Sequence, residues 1–274
     1  MLETLAFGAV VAIVLLGLDL GLRRGMRQPD GESAAARLLL TARLVALLLL
    51  AAALTTNCRS GDGASFVADL GWTALFGGAG LLALELALLV GLWPLGRIVA
   101  DARGGNLAAA TAVAAHTVAV GILVANVTGG RSFADLGIAV AAYAIGQGSL
   151  FVLLVLFRAL TTYDDKAALA ADNQAAAFAH GGLTLALALL IAHASDGEYV
   201  GLWPALRDFG TALAEGLAVY PLRQVLVQCL ILRSRPTFVG GELDRAIGER
   251  RDLGAGLLEG GTYLAMALFV VRLA

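Results

Sequence analysis

Charge is scarce in this chain. Only 15% of its 274 residues are charged, against 59% hydrophobic, and mean hydropathy is +0.83. A soluble core of this size needs far less apolar material. Cysteine is nearly absent: Cys58 and Cys229 give no disulfide framework, and the first falls in a loop while the second falls in a helix. There is no basic block to suggest nucleic acid, and the net charge of −2 names no partner. No HExxH, phosphate loop or Ser/His/Asp arrangement is present, and soluble segments are short. These absences argue against an enzyme, a metal site or a cofactor. The start, "MLETLAFGAVVAIVLLGLDLGLRRGM", lacks a basic n-region and a small-residue cleavage site, so it reads as a retained first helix.

What is present is long apolar stretches. They fall at 4–22, 33–55, 68–95, 106–127, 136–158, 173–194, 208–231 and 253–273. About 20 apolar residues suffice for a helix to cross the hydrocarbon layer. The runs are continuous and Ala/Leu-rich, which excludes the alternating strands of a membrane barrel. The expectation is an all-α, polytopic membrane protein with eight transmembrane helices. Connections near 23–32, 96–105, 158–172 and 232–251 carry Arg23, Arg24, Arg27, Arg97, Arg103, Arg158, Lys166, Arg233, Arg235, Arg245, Arg250 and Arg251. The other three carry only Arg59, Arg131 and Arg207. By the positive-inside rule the first set is cytoplasmic, with both termini outside the cytoplasm.

The chain repeats itself. "ADLGWTALFGG" with Asp69, "ADLGIAVAAYA" with Asp135 and "RDFGTALAEG" with Asp208 open the third, fifth and seventh runs. "ESAAARLLL" with Ser33, "GNLAAATAV" with Asn106, "DNQAAAFAH" with Asn173 and "RDLGAGLLE" with Asp252 open the even ones. "DKAALAADNQAAA" from Asp165 aligns without a gap with "DRAIGERRDLGAG" from Asp244. The unit is a helical hairpin of about 70 residues, present four times; two crossings per unit make the repeats parallel rather than inverted. Ser, Asn and Asp at these starts are N-caps, and the Ala and Gly that follow allow close helix approach in lipid. Capping explains Ser33, Asn106, Asn173, Asp252, Asp69, Asp135 and Asp208 better than a binding ring does.

An Asp-hydrophobic-Gly start, a short cytoplasmic loop and an Asn-x-Ala-Ala-Ala return helix together resemble a bacterial inner-membrane family. It is the one catalogued as domain of unknown function 350, which includes the YjfL-type proteins. The phrases "DNQAAAFAHGG" and "GNLAAATAV" carry most of the resemblance. The family's usual four helices imply two tandem copies here, at 1–128 and 129–274. The first hairpin departs furthest, with Ser33 in place of Asn and Arg37 in its first turn. The resemblance implies the inner (plasma) membrane and brings no activity.

Ionisable groups inside membrane helices cost roughly 2.5–3.5 kcal/mol each on insertion scales, so each needs a reason. His180 and Glu259 both stand seven residues after their caps, before Gly-Gly. Arg43, His116 and Thr262 stand ten after theirs, on the same helix face. The odd runs add Asp19, Glu85, Gln147, Glu215, Gln224 and Gln228. One reading is a polar path for protons, small ions or small polar solutes, with His180 and Glu259 facing one another. The other is structural pairing in a non-catalytic structural or signalling subunit, with Asp19, Glu85 and Arg43 as candidates for such pairs. Pro94 and Pro221 can kink their helices, and Trp93 and Trp203 suit interfacial anchoring. The partners expected are the lipid bilayer, a second copy through the small-residue faces, and a membrane or cytoplasmic protein. No nucleic acid is expected.

Overall fold

The computed structural model describes residues 2–24, 33–57, 63–90, 92, 95–196, 200–231, 233, 235, 237 and 239–273. They are helical, with no strand among them. Cys58, Trp93 and Pro94 lie outside the described residues, and so do the side chains of Arg23, Arg24 and Arg27. Six helices are long and apolar enough to cross a membrane. In chain order these are α2 (Ala34–Leu54), α3 (Gly63–Val90), α5 (Leu107–Val127), α6 (Phe133–Arg158), α8 (Gln174–Ala194) and α12 (Leu253–Leu273). α1 (Leu2–Arg24) is helical throughout, and among its fully described residues the apolar stretch is Ala6–Leu20.

The seventh run is not one helix. It begins early, as α9 (Leu202–Leu217), ends at Ala218, resumes as α10 (Val219–Val225) and finishes in a π-helical segment, Leu226–Ile231. The break has a local cause. Pro221 has no amide hydrogen for the carbonyl of Leu217, so the ladder cannot continue.

The Arg/Lys-rich connections also hold more order than "loop" implies. Three contain a short helix: α4 (Ile98–Arg103), α7 (Asp165–Ala170) and α11 (Glu242–Gly248). Each is followed by a residue at positive φ, Gly105 at 99°, Asp172 at 54° and Arg251 at 52°. Next comes the cap of the return helix. The cap's amide turns back to a carbonyl of the short helix: Asn106 to Asp101, Asn173 to Ala168, Asp252 to Ala246. A left-handed residue reverses the chain within one step, which suits Gly and Asp and is costly for Arg.

The return helices α2, α5, α8 and α12 form a row in sequence order, each packed mainly on the next. The outgoing helices flank the row: α3 on α5, α6 on α8, and α9 on α8. Small residues set the spacing. A Cβ on Gly182 would overlap the backbone of Gly260, and one on Gly256 the backbone of Ala175. One on Gly121 would come 2.8 Å from Ala46 Cα. With no water to drive helices together in lipid, this backbone approach supplies dispersion contact instead. Ala108, Ala110, Ala112, Ala176, Ala177 and Ala188 are fully buried in these seams. Outward, Ile13, Leu82, Leu89, Leu268 and Phe269 are exposed, as lipid contact requires.

Replacing Gly182 by Val is expected to cost about 3 kcal/mol or more, read as a fall of roughly 6–12 °C in Tm in detergent. Gly71, which has open space around its missing Cβ, should accept Ala without loss. Equal behaviour of the two variants in a melting curve would refute the close α8–α12 contact.

Candidate functional site

Caps come first, because they place the polar side chains. Ser33, Asn106 and Asn173 accept from the amides of Ala36, Ala109 and Ala176, and Asp252 accepts from Gly254 and Ala255. Two of them also reach sideways. Asn106 Nδ2 donates to the carbonyls of Leu169 and Ala170, and Asn173 Nδ2 to that of Ile247. Each cap is thereby tied to the next connection in the chain. The three Asp residues of the odd runs differ from expectation. Asp135 is the third residue of α6. Ser132 Oγ accepts its amide, while Asp135 Oδ2 accepts the amide of Arg131. Asp69 and Asp208 are not caps, because α3 and α9 begin earlier, at Gly63 and Leu202. Asp69 is buried and ion-paired with Arg131, and Asp208 is exposed.

Two charged clusters lie within the bundle. In the first, Arg43 of α2 donates through Nε (2.9 Å) and Nη2 (2.7 Å) to Asp19 Oδ1 of α1, and pairs also with Glu85 of α3. Asp19 and Arg43 are buried, and Glu85 is partly exposed. This is the structural pairing expected for these three residues.

The second cluster centres on Arg158, at the last residue of α6. Its Nη2 lies 2.8 Å from His180 Nδ1 and 3.2 Å from Asp165 Oδ1. Arginine only donates, so Nδ1 of His180 must accept, and the imidazole carries its proton on Nε2. Nε2 faces Thr184 Oγ1 at 3.5 Å, while that hydroxyl donates to the His180 carbonyl at 2.8 Å. The strongest bond of His180 thus goes to Arg158, a residue that sequence reasoning counts only as a loop cation. Glu259 is buried on the facing α12, beside the Gly182–Gly260 contact, so the register-related pair shares one helix interface. Thr262 donates to the Glu259 carbonyl at 2.9 Å.

Around this cluster stand groups the sequence reading passed over. Asp244 Oδ2 accepts from the Thr162 amide (2.6 Å) and hydroxyl (3.0 Å). Burial pushes the Tyr163 phenol up, and the charges of Glu259, Asp165 and Asp244 push the same way. Burial also raises the Asp165 carboxyl, to about 6; Arg158 opposes this while Asp164 and Asp244 reinforce it. A signal for two of these residues was available, since Asp165 and Asp244 open the two aligned phrases.

His116 of α5 stands between the clusters. It is 1% exposed, and neither ring nitrogen makes a full hydrogen bond among the described residues, although the Ala87 carbonyl lies close enough to act weakly on it. His180 lies within electrostatic reach. Gln147 has buried amide atoms with no hydrogen-bond partner among the described residues, and Glu215 is exposed on α9, apart from both clusters. Gln224 and Gln228 are buried and serve the chain after the π segment: Gln224 donates to the Thr237 carbonyl, and Gln228 accepts from the Thr237 amide and hydroxyl.

The polar groups share a depth. His180 and Glu259 lie seven residues past their caps, and Arg43 and His116 ten, which is about 10–15 Å at 1.5 Å per residue. The stripe therefore runs across the row of return helices, as a belt in the connection-side half. Beyond it, those helices are almost wholly apolar.

A family model described as Domain of Unknown Function (DUF350) matches residues 132–273. No curated protein and no solved structure matches the chain.

Asp165 sets a pH test. Its folded value of about 6 lies above the ordinary carboxyl value near 3.9, so the folded state holds its proton more tightly. Its contribution to stability therefore rises as pH falls from about 7 through 6 towards 4. Between pH 7 and 5, Tm of the wild type should shift upward relative to that of Asp165→Asn. Parallel melting profiles for the two proteins would contradict this assignment.

Proposed function

The chain belongs to the DUF350 family, and on that premise we propose that it is a non-enzymatic, multi-pass protein of the bacterial inner membrane that passes protons or small cations through its polar belt. In this reading it crosses the bilayer eight times, with the Arg/Lys-rich connections in the cytoplasm and both termini outside. Residues 129–274 form one family unit and residues 1–128 a second, diverged one. The shared geometry of the three connections, short helix, left-handed residue and cap, supports that descent.

The observation that carries the proposal is His116. A buried imidazole without a full hydrogen bond is expensive in a membrane core. It stands between an ion-paired cluster and a neutral His180 held by Arg158, where a proton or a water with a cation would satisfy it. The belt reaches only the connection-side half, so passage to the far face needs a conformational step. The broken α9–α10 element supports such a step, because discontinuous helices and π segments recur at transport and other functional sites. It packs on α12, with Tyr220 stacked on Tyr263 at 6.1 Å and set edge-on to Phe157.

A second reading, a structural or signalling subunit, is favoured by the Asp19–Arg43–Glu85 cluster, whose charges are already satisfied. Liposome flux measurements separate the two. Transport predicts proton or monovalent-cation flux in the wild type that falls to the protein-free baseline in His116→Ala and His180→Ala, with Tm retained. No flux under any gradient, with those variants as stable as the wild type, rejects transport and leaves the subunit reading.

A further inference from the structure

Away from the belt, at the connection face, a cavity of about 440 Å³ opens between the turn before α4 and the short helix α7. That volume falls in the range of ligand sites, about 300–1,000 Å³. Two cations from different connections border it, Arg97 and Lys166. The stem of Lys166 lies over Gly96, where a Cβ would come 2.8 Å from Lys166 Cε and 3.1 Å from Nζ; Gly96 at φ 67° leaves that room. The floor is apolar, Leu95, Ile98 and Leu169, and it is held from below by Asn106 Nδ2 on the carbonyl of Leu169.

Several cations, Arg37, Arg103 and Arg207 among them, make no ion pair among the described residues; what is particular here is that two such cations border one cavity. Arg43, Arg131 and Arg158 each pair with a carboxylate, and Arg245 and Arg250 both pair with Glu242. Arg97 and Lys166 make no ion pair among the described residues. One acid, Asp101, also borders the cavity and leaves it a net positive charge. α3 ends at Val90 and α5 begins at Leu107, and both are long and apolar enough to cross a membrane, so on the membrane reading the connection with the cavity lies at headgroup level. A planar guanidinium fork, a point-charge ammonium and an apolar floor at that level suit a phosphate with carbon attached.

We propose that Arg97 and Lys166 form a phosphate-binding site at the membrane surface, occupied by the headgroup of an anionic phospholipid or by a free phosphate. Binding is electrostatic and made by side chains alone. Asp101 opposes it and keeps it exchangeable.

The full chain is placed in nanodiscs containing equal phosphatidylglycerol and phosphatidylcholine, and lipids retained on release are counted by native mass spectrometry. In parallel, Tm is measured in lipid-free detergent with inorganic phosphate or chloride at equal ionic strength. Each of Arg97→Gln and Lys166→Gln should weaken retention about fivefold, the effect of one interfacial cation. Asp101→Asn should strengthen it, a gain that damage to the fold cannot imitate. Arg245→Gln, exposed and already paired with Glu242, should behave as wild type. Preference for phosphatidylglycerol with this pattern of variants establishes a lipid headgroup. A phosphate-dependent rise in Tm with the same pattern, without lipid preference, establishes free phosphate. Equal retention of both lipids with no phosphate response, or Arg97→Gln and Lys166→Gln matching the wild type, overturns the site.

Discussion

Everything in this molecule depends on how closely its return helices approach. Gly182 faces Gly260, Gly256 faces Ala175 and Gly121 faces Ala46 with no room for a single added carbon. In water a sequence so rich in Ala and Gly would gain little from burial. In lipid the requirement is different, because the solvent is as apolar as the side chains. Stability then comes from backbone-to-backbone contact, which only small residues allow. The row α2–α5–α8–α12 is the consequence, and the outgoing helices are arranged around it.

That row decides which polar groups meet. Arg43 projects from the first return helix and finds its carboxylates on the two outgoing helices α1 and α3. His180 projects from the third and finds Arg158 at the end of α6. His116 lies on the helix between, so its outgoing neighbour α3 offers only the Ala87 carbonyl. The same depth on three parallel helices thus produces two satisfied clusters and one unsatisfied ring. A buried charge in lipid must be neutralised or paid for by use. The connections after α6 and after the π segment carry the second-cluster carboxylates Asp165 and Asp244, each on a short helix.

Much of this was legible in the residues. Hydropathy located the runs, and six of them are membrane-length helices. Caps at Ser33, Asn106, Asn173 and Asp252 were readable because capping is local chemistry, decided within four residues. The pairing of Arg43 with Asp19 and Glu85 followed from the cost of leaving such a charge alone. What escaped the sequence is what depends on distant chain. Arg158 looked like one loop cation among several, and only the fold brings it to His180, 22 positions on. Asp69 and Asp208 resembled caps because the Asp-Leu-Gly phrase was aligned on itself, whereas helix starts are set by what precedes it. The break in the seventh run lies at Pro221, which the sequence marks as a kink; what it does not give is the early start at Leu202 or the π-helical end.

The row of return helices is the central claim, and a distance between its ends tests it most directly. Spin labels at Ala34 and Leu253, both exposed at the connection-side ends of α2 and α12, would be measured by pulsed electron–electron resonance in a variant with Cys58 and Cys229 replaced by Ser. Three interaxial steps of 8–10 Å place them about 24–30 Å apart. A distance near 15 Å or less would mean that α2 and α12 close into a bundle, and the belt described above would not exist.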